Sequence, residues 1–244
     1  MLKGIIILVV AVAIMMFFKS RPQLSEEGLP IVPVSKLYDT TVVQIYELLF
    51  CDNIQLYNAM KDNFPVLFVE NPSKEELLKL AQNKDVETRI RILAYRRLKE
   101  MQVFPDTKEV LGVIVEYNQR KNHGKGLDTL AVYSDGNIRY INYTGKMAVV
   151  TGDEPVAQLE QPVKEILEQA NQLAQVIGPW EKKRLPPPAP GNVRVTLLVN
   201  GDIYLGQGPD KVMFNDKLGA PLLHNMSMLL QQITQLASEQ EPNA

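Results

Sequence analysis

Along the chain, the spacing of apolar and polar positions changes several times, and each change marks a new kind of element. The first stretch has no period. Gly4 to Phe18 (GIIILVVAVAIMMFF) is an unbroken apolar run of 15 residues between Lys3 and Lys19. As a helix it would be roughly 22 Å long, against a hydrocarbon core of about 30 Å. Met1 and Leu2 lengthen it, and Lys3 and Lys19 can snorkel their charges outward. A short membrane-spanning helix with modest mismatch is therefore expected. A buried core helix would carry a polar face, and this run has none. A cleaved secretory signal is the rival, but Phe17, Phe18 and Lys19 stand where cleavage needs small residues. The expectation is an uncleaved, single-pass anchor over residues 1–19. Lys19 and Arg21 follow the run, whereas Lys3 and the terminal amine precede it. That balance favours a cytoplasmic body over an exported one. The sequons Asn142-Tyr143-Thr144 and Asn225-Met226-Ser227 would matter only in a secretory lumen.

Residues 20–35 (SRPQLSEEGLPIVPVS) carry three Pro and one Gly with no helical period, which reads as an extended linker. From 36 to 104 the period is helical. Val42, Ile45, Tyr46 and Leu49 recur at 3–4 spacing, with Asp39 or Thr40 as cap. Asp52 can start a second short helix, and Phe64 to Val69 is either a strand or a buried connection. Ser73 and Glu76 form a capping box. Asp85 is the expected cap of a helix with the stripe Val86, Ile90, Leu93, Ala94, Leu98 and Met101. On that helix Glu87 with Arg91, and Arg96 with Glu100, are opposite charges four apart, suited to a solvated surface.

After residue 104 the pattern shortens. Val110 to Tyr117 is rich in β-branched residues and reads as a mostly buried strand. Leu127–Tyr133 and Ile138–Tyr143 flank the turn signal Ser134-Asp135-Gly136-Asn137, and residues 146–151 add another strand. A long amphipathic helix follows, with Val163, Ile166, Leu167, Ala170, Leu173, Ala174 and Ile177 inside, and stops at Gly178-Pro179. Val193, Val195, Leu197 and Val199 alternate with Arg194, Thr196 and Leu198, giving a strand with one buried face. Asn200-Gly201 is the strongest hairpin signal in the chain, and Gly206 to Pro209 is expected to end the return strand. A last helix starts near Pro221. The two hairpins, each ahead of a long helix, raise the idea of a duplicated ββα unit, although ordinary turn chemistry is the plainer account of both. The expected fold is α+β: a helical subdomain at 36–104, then at 105–244 an antiparallel sheet with two long helices on one face.

Composition narrows function by exclusion. Net charge is −2, from 26 basic and 28 acidic residues, so the basic excess that nucleic acid demands is missing. One Cys precludes an intramolecular disulfide. Only His123 and His224 could supply imidazole, and they match no metal-ligand spacing. No cofactor, metal or catalytic residue is assigned. A nucleophilic Cys51–His123 pair or a pair of carboxylates would make a hydrolase, but nothing local supports either.

Two segments carry weaker signals. Arg120, Lys121, His123 and Lys125 crowd three cations among glycines and could cradle an anion, or simply form a solvated loop. Arg184-Leu185-Pro186-Pro187-Pro188-Ala189-Pro190 has the form of a polyproline ligand, or of a rigid strap. Trp180 stands beside Lys182, Lys183 and Arg184, a combination that suits a partner or a lipid headgroup layer, or packing over a helix end. The leading expectation is a membrane-tethered, non-enzymatic protein-binding module: an adaptor, assembly factor or immunity-like protein. A sensory or small-ligand domain is the alternative, and a hydrolase the second. Partner identity and oligomeric state are not legible.

Overall fold

The fold was taken from a computed structural model, which describes residues 5–8, 23–24, 30–31, 33–119, 126–152 and 156–240. In chain order these form β1 (Ile5–Leu8), β2 (Gln23–Leu24), β3 (Pro30–Ile31), α1 (Thr40–Leu48), α2 (Lys74–Gln82) and α3 (Thr88–Glu100). They continue with β4 (Val110–Asn118), β5 (Leu127–Tyr133), β6 (Ile138–Ile141), β7 (Met147–Val150) and α4 (Ala157–Val176). The chain closes with β8 (Asn192–Val199), β9 (Asp202–Pro209), α5 (Asp210–Met213) and α6 (Ala220–Gln240). The architecture is α+β, with the helical part first and a six-stranded antiparallel sheet after it.

Strands β4 to β7 form a meander. Helix α4 then carries the chain back so that β8 pairs on the other side of β4, and β9 follows by a hairpin, giving the order β7-β6-β5-β4-β8-β9. Of the leading apolar run, Ile5–Leu8 lies antiparallel beside β7. The remainder of that run, on which the expected membrane helix over 4–18 depends, lies outside the described residues. Among the described residues no helix is long and apolar enough to cross a membrane.

The sheet is covered on both faces. On one, Val113, Leu130, Val195 and Leu197 pack with Ile166 and Ala170 of α4 and with Met226 and Leu229 of α6. On the other, Ile114, Ala131, Tyr133 and Leu198 share a core with Tyr46, Leu49 and Leu93 of the helical part. This corrects the expectation of one buried face for β8. Arg194, Thr196 and Leu198 are as buried as Val193, Val195 and Leu197, because the helical part covers the side that the alternation left to solvent. For the same reason α3 is buried nearly all round. Two further boundaries differ. Strand β9 runs through Gly206 and Gly208 to Pro209, held by pairing with Asn192–Val195. Phe64 to Val69 makes a short 3-10 turn at Pro65–Leu67 rather than a strand.

Local signals set several helix starts. The Asp39 carboxylate accepts from the Val42 N–H at 3.0 Å, and the Ser73 hydroxyl from the Glu76 N–H at 3.2 Å. Asp85 does not cap α3. The first N–H of that helix, from Thr88, donates instead to the Asp135 carboxylate in the β5–β6 turn, at 2.8 Å. A distant turn thus satisfies the helix terminus and docks the hairpin on it. Asp135→Ala should cost about 1 kcal/mol, the usual value of a lost cap, read as a lower urea midpoint. An unchanged midpoint would deny the cap any energetic role.

Candidate functional site

The sheet face beneath the helical part carries a buried ion pair. Glu116 of β4 and Arg194 of β8 are cross-strand neighbours, exposed to 0% and 1%. Arg194 donates to both Glu116 oxygens, Nε to Oε2 at 2.7 Å and Nη2 to Oε1 at 2.9 Å. The Tyr46 hydroxyl of α1 donates to Glu116 Oε1 at 2.6 Å. Burial, reinforced by the Glu116 charge, raises the Tyr46 pKa well above that of a free phenol, so Tyr46 remains the donor. The remaining guanidinium nitrogen, Nη1, donates to the Leu185 carbonyl at 3.1 Å.

That last bond ties down the segment between α4 and β8. Ile177 ends α4, and the proline run that follows cannot donate from its backbone. Its neighbours compensate. The Trp180 N–H donates to the Ile203 carbonyl on β9 at 2.7 Å, Asn118 Nδ2 donates to the Pro188 carbonyl at 2.7 Å, and the Gly191 N–H donates to the Asn118 carbonyl at 2.6 Å. Arg184 adds charged and ring contacts to the helical part. Its guanidinium lies 3.9 Å from the Phe50 ring centroid and binds Asp52 at 2.6 Å and also Glu47. Burial alone would lower the Arg184 pKa, but Asp52 first and Glu47 after it raise it overall. The Arg184 that opens the polyproline motif is thus held within the chain, and the segment acts as a strap. Arg184→Ala should cost about 1–2 kcal/mol from the lost cation–π and ion-pair contacts. It should also speed tryptic cleavage after Lys182 and Lys183; a cleavage rate equal to wild type would show that the strap is held elsewhere.

Between the strap, the end of α1, α3 and the β8–β9 turn lies a cleft of about 1060 Å³. Trp180 lines it, half-buried, with its Nε1 donating to the Lys183 carbonyl at 3.0 Å. Lys182 sits over the Trp180 ring at 6.0 Å, and Lys183 is exposed on the rim. Of the sequence candidates, Trp180, Lys182, Lys183 and Arg184 therefore share one wall of this cleft. Arg120, Lys121, His123 and Lys125 lie outside the described residues.

The opposite wall holds a residue that sequence spacing misplaced. The expected pair Arg96–Glu100 does not form, because Glu100 binds Arg97 instead. The pair Glu87–Arg91 does not form either: Glu87 binds Arg89, while Arg91 is buried and donates to the Ala81 carbonyl at 2.9 Å. Arg96 is left lining the cleft, with Nε and Nη2 buried and without a hydrogen-bond partner. Burial lowers its pKa, against the pull of Asp52 and Asp202. Those two carboxylates are bound by Arg184 and Lys99 respectively. The signal that could have exposed Arg96 is the run Arg96-Arg97 ahead of a single Glu100, which sets two cations in competition for one acid.

Elsewhere the chemistry is quiet. Cys51 is buried, and burial pushes its thiol up to about 11 from the usual 9.0. Between those values the unfolded chain releases the proton that the folded chain keeps, so stability falls as pH rises through about 9 to 11. Iodoacetamide at pH 8 should leave native Cys51 unmodified and alkylate it once unfolded; rapid native alkylation would mean an accessible thiolate. His224 is exposed on α6 with its ring 5.7 Å from that of Phe214. Among the described residues no cluster of three or more His, Cys, Asp or Glu could hold a metal ion. No protein-family model, curated protein or solved structure matches the chain.

Proposed function

We propose that this protein is a membrane-tethered protein-binding module, an adaptor, assembly factor or immunity-like protein, that engages its partner through the cleft beside the strap. The observation that carries this reading is the cleft itself. Its walls come from the strap, α1, α3 and the β8–β9 turn: the buried Glu116–Arg194 pair, the Arg184 contacts and the strap hydrogen bonds hold the strap to α1 and the sheet, and the Lys99–Asp202 pair holds α3 to the β8–β9 turn. Rigid walls reduce the ordering cost of association. Trp180 and Arg184 are also residue types enriched at binding hot spots.

The tether is the apolar run from 4 to 18, with the Pro-containing linker of 20–35 holding the body away from the bilayer. Its competing use is the one taken by Ile5–Leu8, an edge strand beside β7. The positive residues after the run favour a cytoplasmic body over an exported one, and a reporter fused at the C-terminus reads that orientation directly. The two hairpins are further proposed to be halves of an old ββα duplication. Both of their turns dock on α3, one through Asp135 at Thr88 and the other through Gly201 against Tyr95 and Arg96.

A photo-crosslinking residue at exposed Lys183, compared with one at exposed Glu239 on α6, tests the binding reading in native membranes. A discrete protein adduct from 183 and not from 239 is expected. Identical patterns from both positions would remove the cleft as the interface.

A further inference from the structure

The two sides of the six-stranded sheet are finished differently. An open edge strand presents unpaired backbone groups, and proteins blunt such edges with Pro, charges, bulges or a covering element. Strand β9, on one side, carries Gly206, Gly208 and Pro209, residues that weaken strand pairing. Strand β7 (Met147–Val150), on the other, carries no charge, Pro or Gly, and its register with β6 is unbroken. The direction of its backbone groups follows from the hairpin that precedes it. The Asn142 N–H donates to the Lys146 carbonyl at 2.9 Å, which sets the alternation of the ladder. Ala148 and Val150 therefore turn their N–H and C=O groups to β6, and Met147 and Val149 turn theirs outward.

The layers beside the sheet reach this edge. Ala148 and Val150 belong to the core beneath α4 and α6, and Met147 to the core beneath the helical part. Helix α6 lies against both β7 and β1, so its cover continues over the next strand position. That position is taken by Ile5–Leu8, antiparallel, with Leu8 opposite Met147 and Ile6 opposite Val149. A strand placed there extends both apolar faces of β7, so it suits an uninterrupted aliphatic segment better than an alternating one. Ile5-Ile6-Ile7-Leu8 is such a segment.

The same four residues cannot be this strand and part of a membrane helix at once. In the tethered state the outer edge of β7 is left for another strand of like chemistry. We propose that β7 is an acceptor edge for a partner protein, which adds an extended, uninterrupted aliphatic segment antiparallel to Met147–Val150 in place of Ile5–Leu8. This rests on the membrane-tethered, protein-binding reading above and gives the partner a second seat besides the cleft. Backbone pairing supplies the affinity, and the two apolar faces supply the selectivity.

The test uses the full chain in phosphatidylcholine vesicles and follows the anisotropy of fluorescein-labelled N-acetyl-Lys-Ile-Ile-Ile-Leu-Lys-amide, with protein-free vesicles as background. Two further versions carry N-methyl groups, one at the positions of Ile6 and Leu8, the other at those of Ile5 and Ile7. Their compositions match, so lipid partitioning does not separate them. Methylation at 6 and 8 removes the N–H groups that face Val149 and Met147, and should weaken binding about tenfold. Methylation at 5 and 7 points away from β7 and should leave binding unchanged. The alternating peptide N-acetyl-Lys-Ile-Ser-Ile-Ser-Lys-amide should also bind about tenfold more weakly than the parent. Val149→Pro removes an outward donor that β6 does not use, and should weaken the parent peptide to a similar degree. Equal binding of the two methylated peptides by the wild-type protein overturns the proposal without recourse to any variant. So does equal binding of the parent and the alternating peptide, or no saturable binding of any of them. If the peptides fail while the crosslinker at position 183 still captures a protein, the module reading stands and the acceptor edge is wrong.

Discussion

Replacing Glu116 by alanine is expected to destabilise the protein by about 3–5 kcal/mol, the cost of stranding one partner of a buried ion pair. Arg194 would keep its charge at 1% exposure with only the Leu185 carbonyl to receive it. Tyr46 would lose its acceptor at the same time. The effect should appear as a lower denaturant midpoint with an unchanged slope. The informative companion is Glu116→Leu with Arg194→Met. Replacing both members of such a pair by apolar residues is often neutral or stabilising, so the double variant should recover most of what Glu116→Ala loses. It would still lack the bond to Leu185, and the strap should become more sensitive to trypsin. A double variant as unstable as the single one would mean that the pair is not the dominant interaction at this point of the sheet.

Gly201→Ala is expected to cost about 2–4 kcal/mol, combining a left-handed backbone penalty of about 1–2 kcal/mol with overpacking. Gly201 has φ of 84° in the turn after Asn200. An added Cβ there would meet the Arg96 nitrogen at 2.7 Å and the Tyr95 carbonyl carbon at 2.8 Å, and neither backbone atom can rotate aside. Gly136→Ala is the control. Its φ is 81°, but the nearest atom to a new Cβ lies 3.8 Å away, so only the backbone penalty of about 1 kcal/mol applies. Comparing the two midpoints isolates the packing of the β8–β9 turn on α3. Equal losses at 136 and 201 would show that the turn is free to lift away from that helix.

Both expectations depend on contacts between residues far apart in sequence, which marks where the sequence was legible. Short-range rules located the Asn200-Gly201 hairpin, the β5–β6 turn, the caps at Asp39 and Ser73, and the long helices α4 and α6. Each of those depends on residues within one turn or one period of each other. The alternation in β8 was also real, but it hid the helical layer on the second face, so Arg194 read as solvated. Its partner Glu116 lies 78 residues earlier. The cap of α3 comes from Asp135, 47 residues away, and no local signal competes with Asp85 for that role. Arg96 was assigned to Glu100 by helical spacing, and only the actual rotamers give that acid to Arg97. The cleft is a product of these long-range choices. The composition announced the residues of its strap wall, Trp180 to Arg184, but not what they face.

The proposed tether holds a recognition body at a membrane through the leading apolar run, residues 4–18. Carbonate extraction of membranes carrying the full chain, beside a chain lacking residues 4–18, separates a lipid-embedded run from one that is not. The full chain should stay with the lipid pellet and the shortened chain in the supernatant. Release of the full chain by carbonate would contradict it and leave the run to its other use, as a strand against β7.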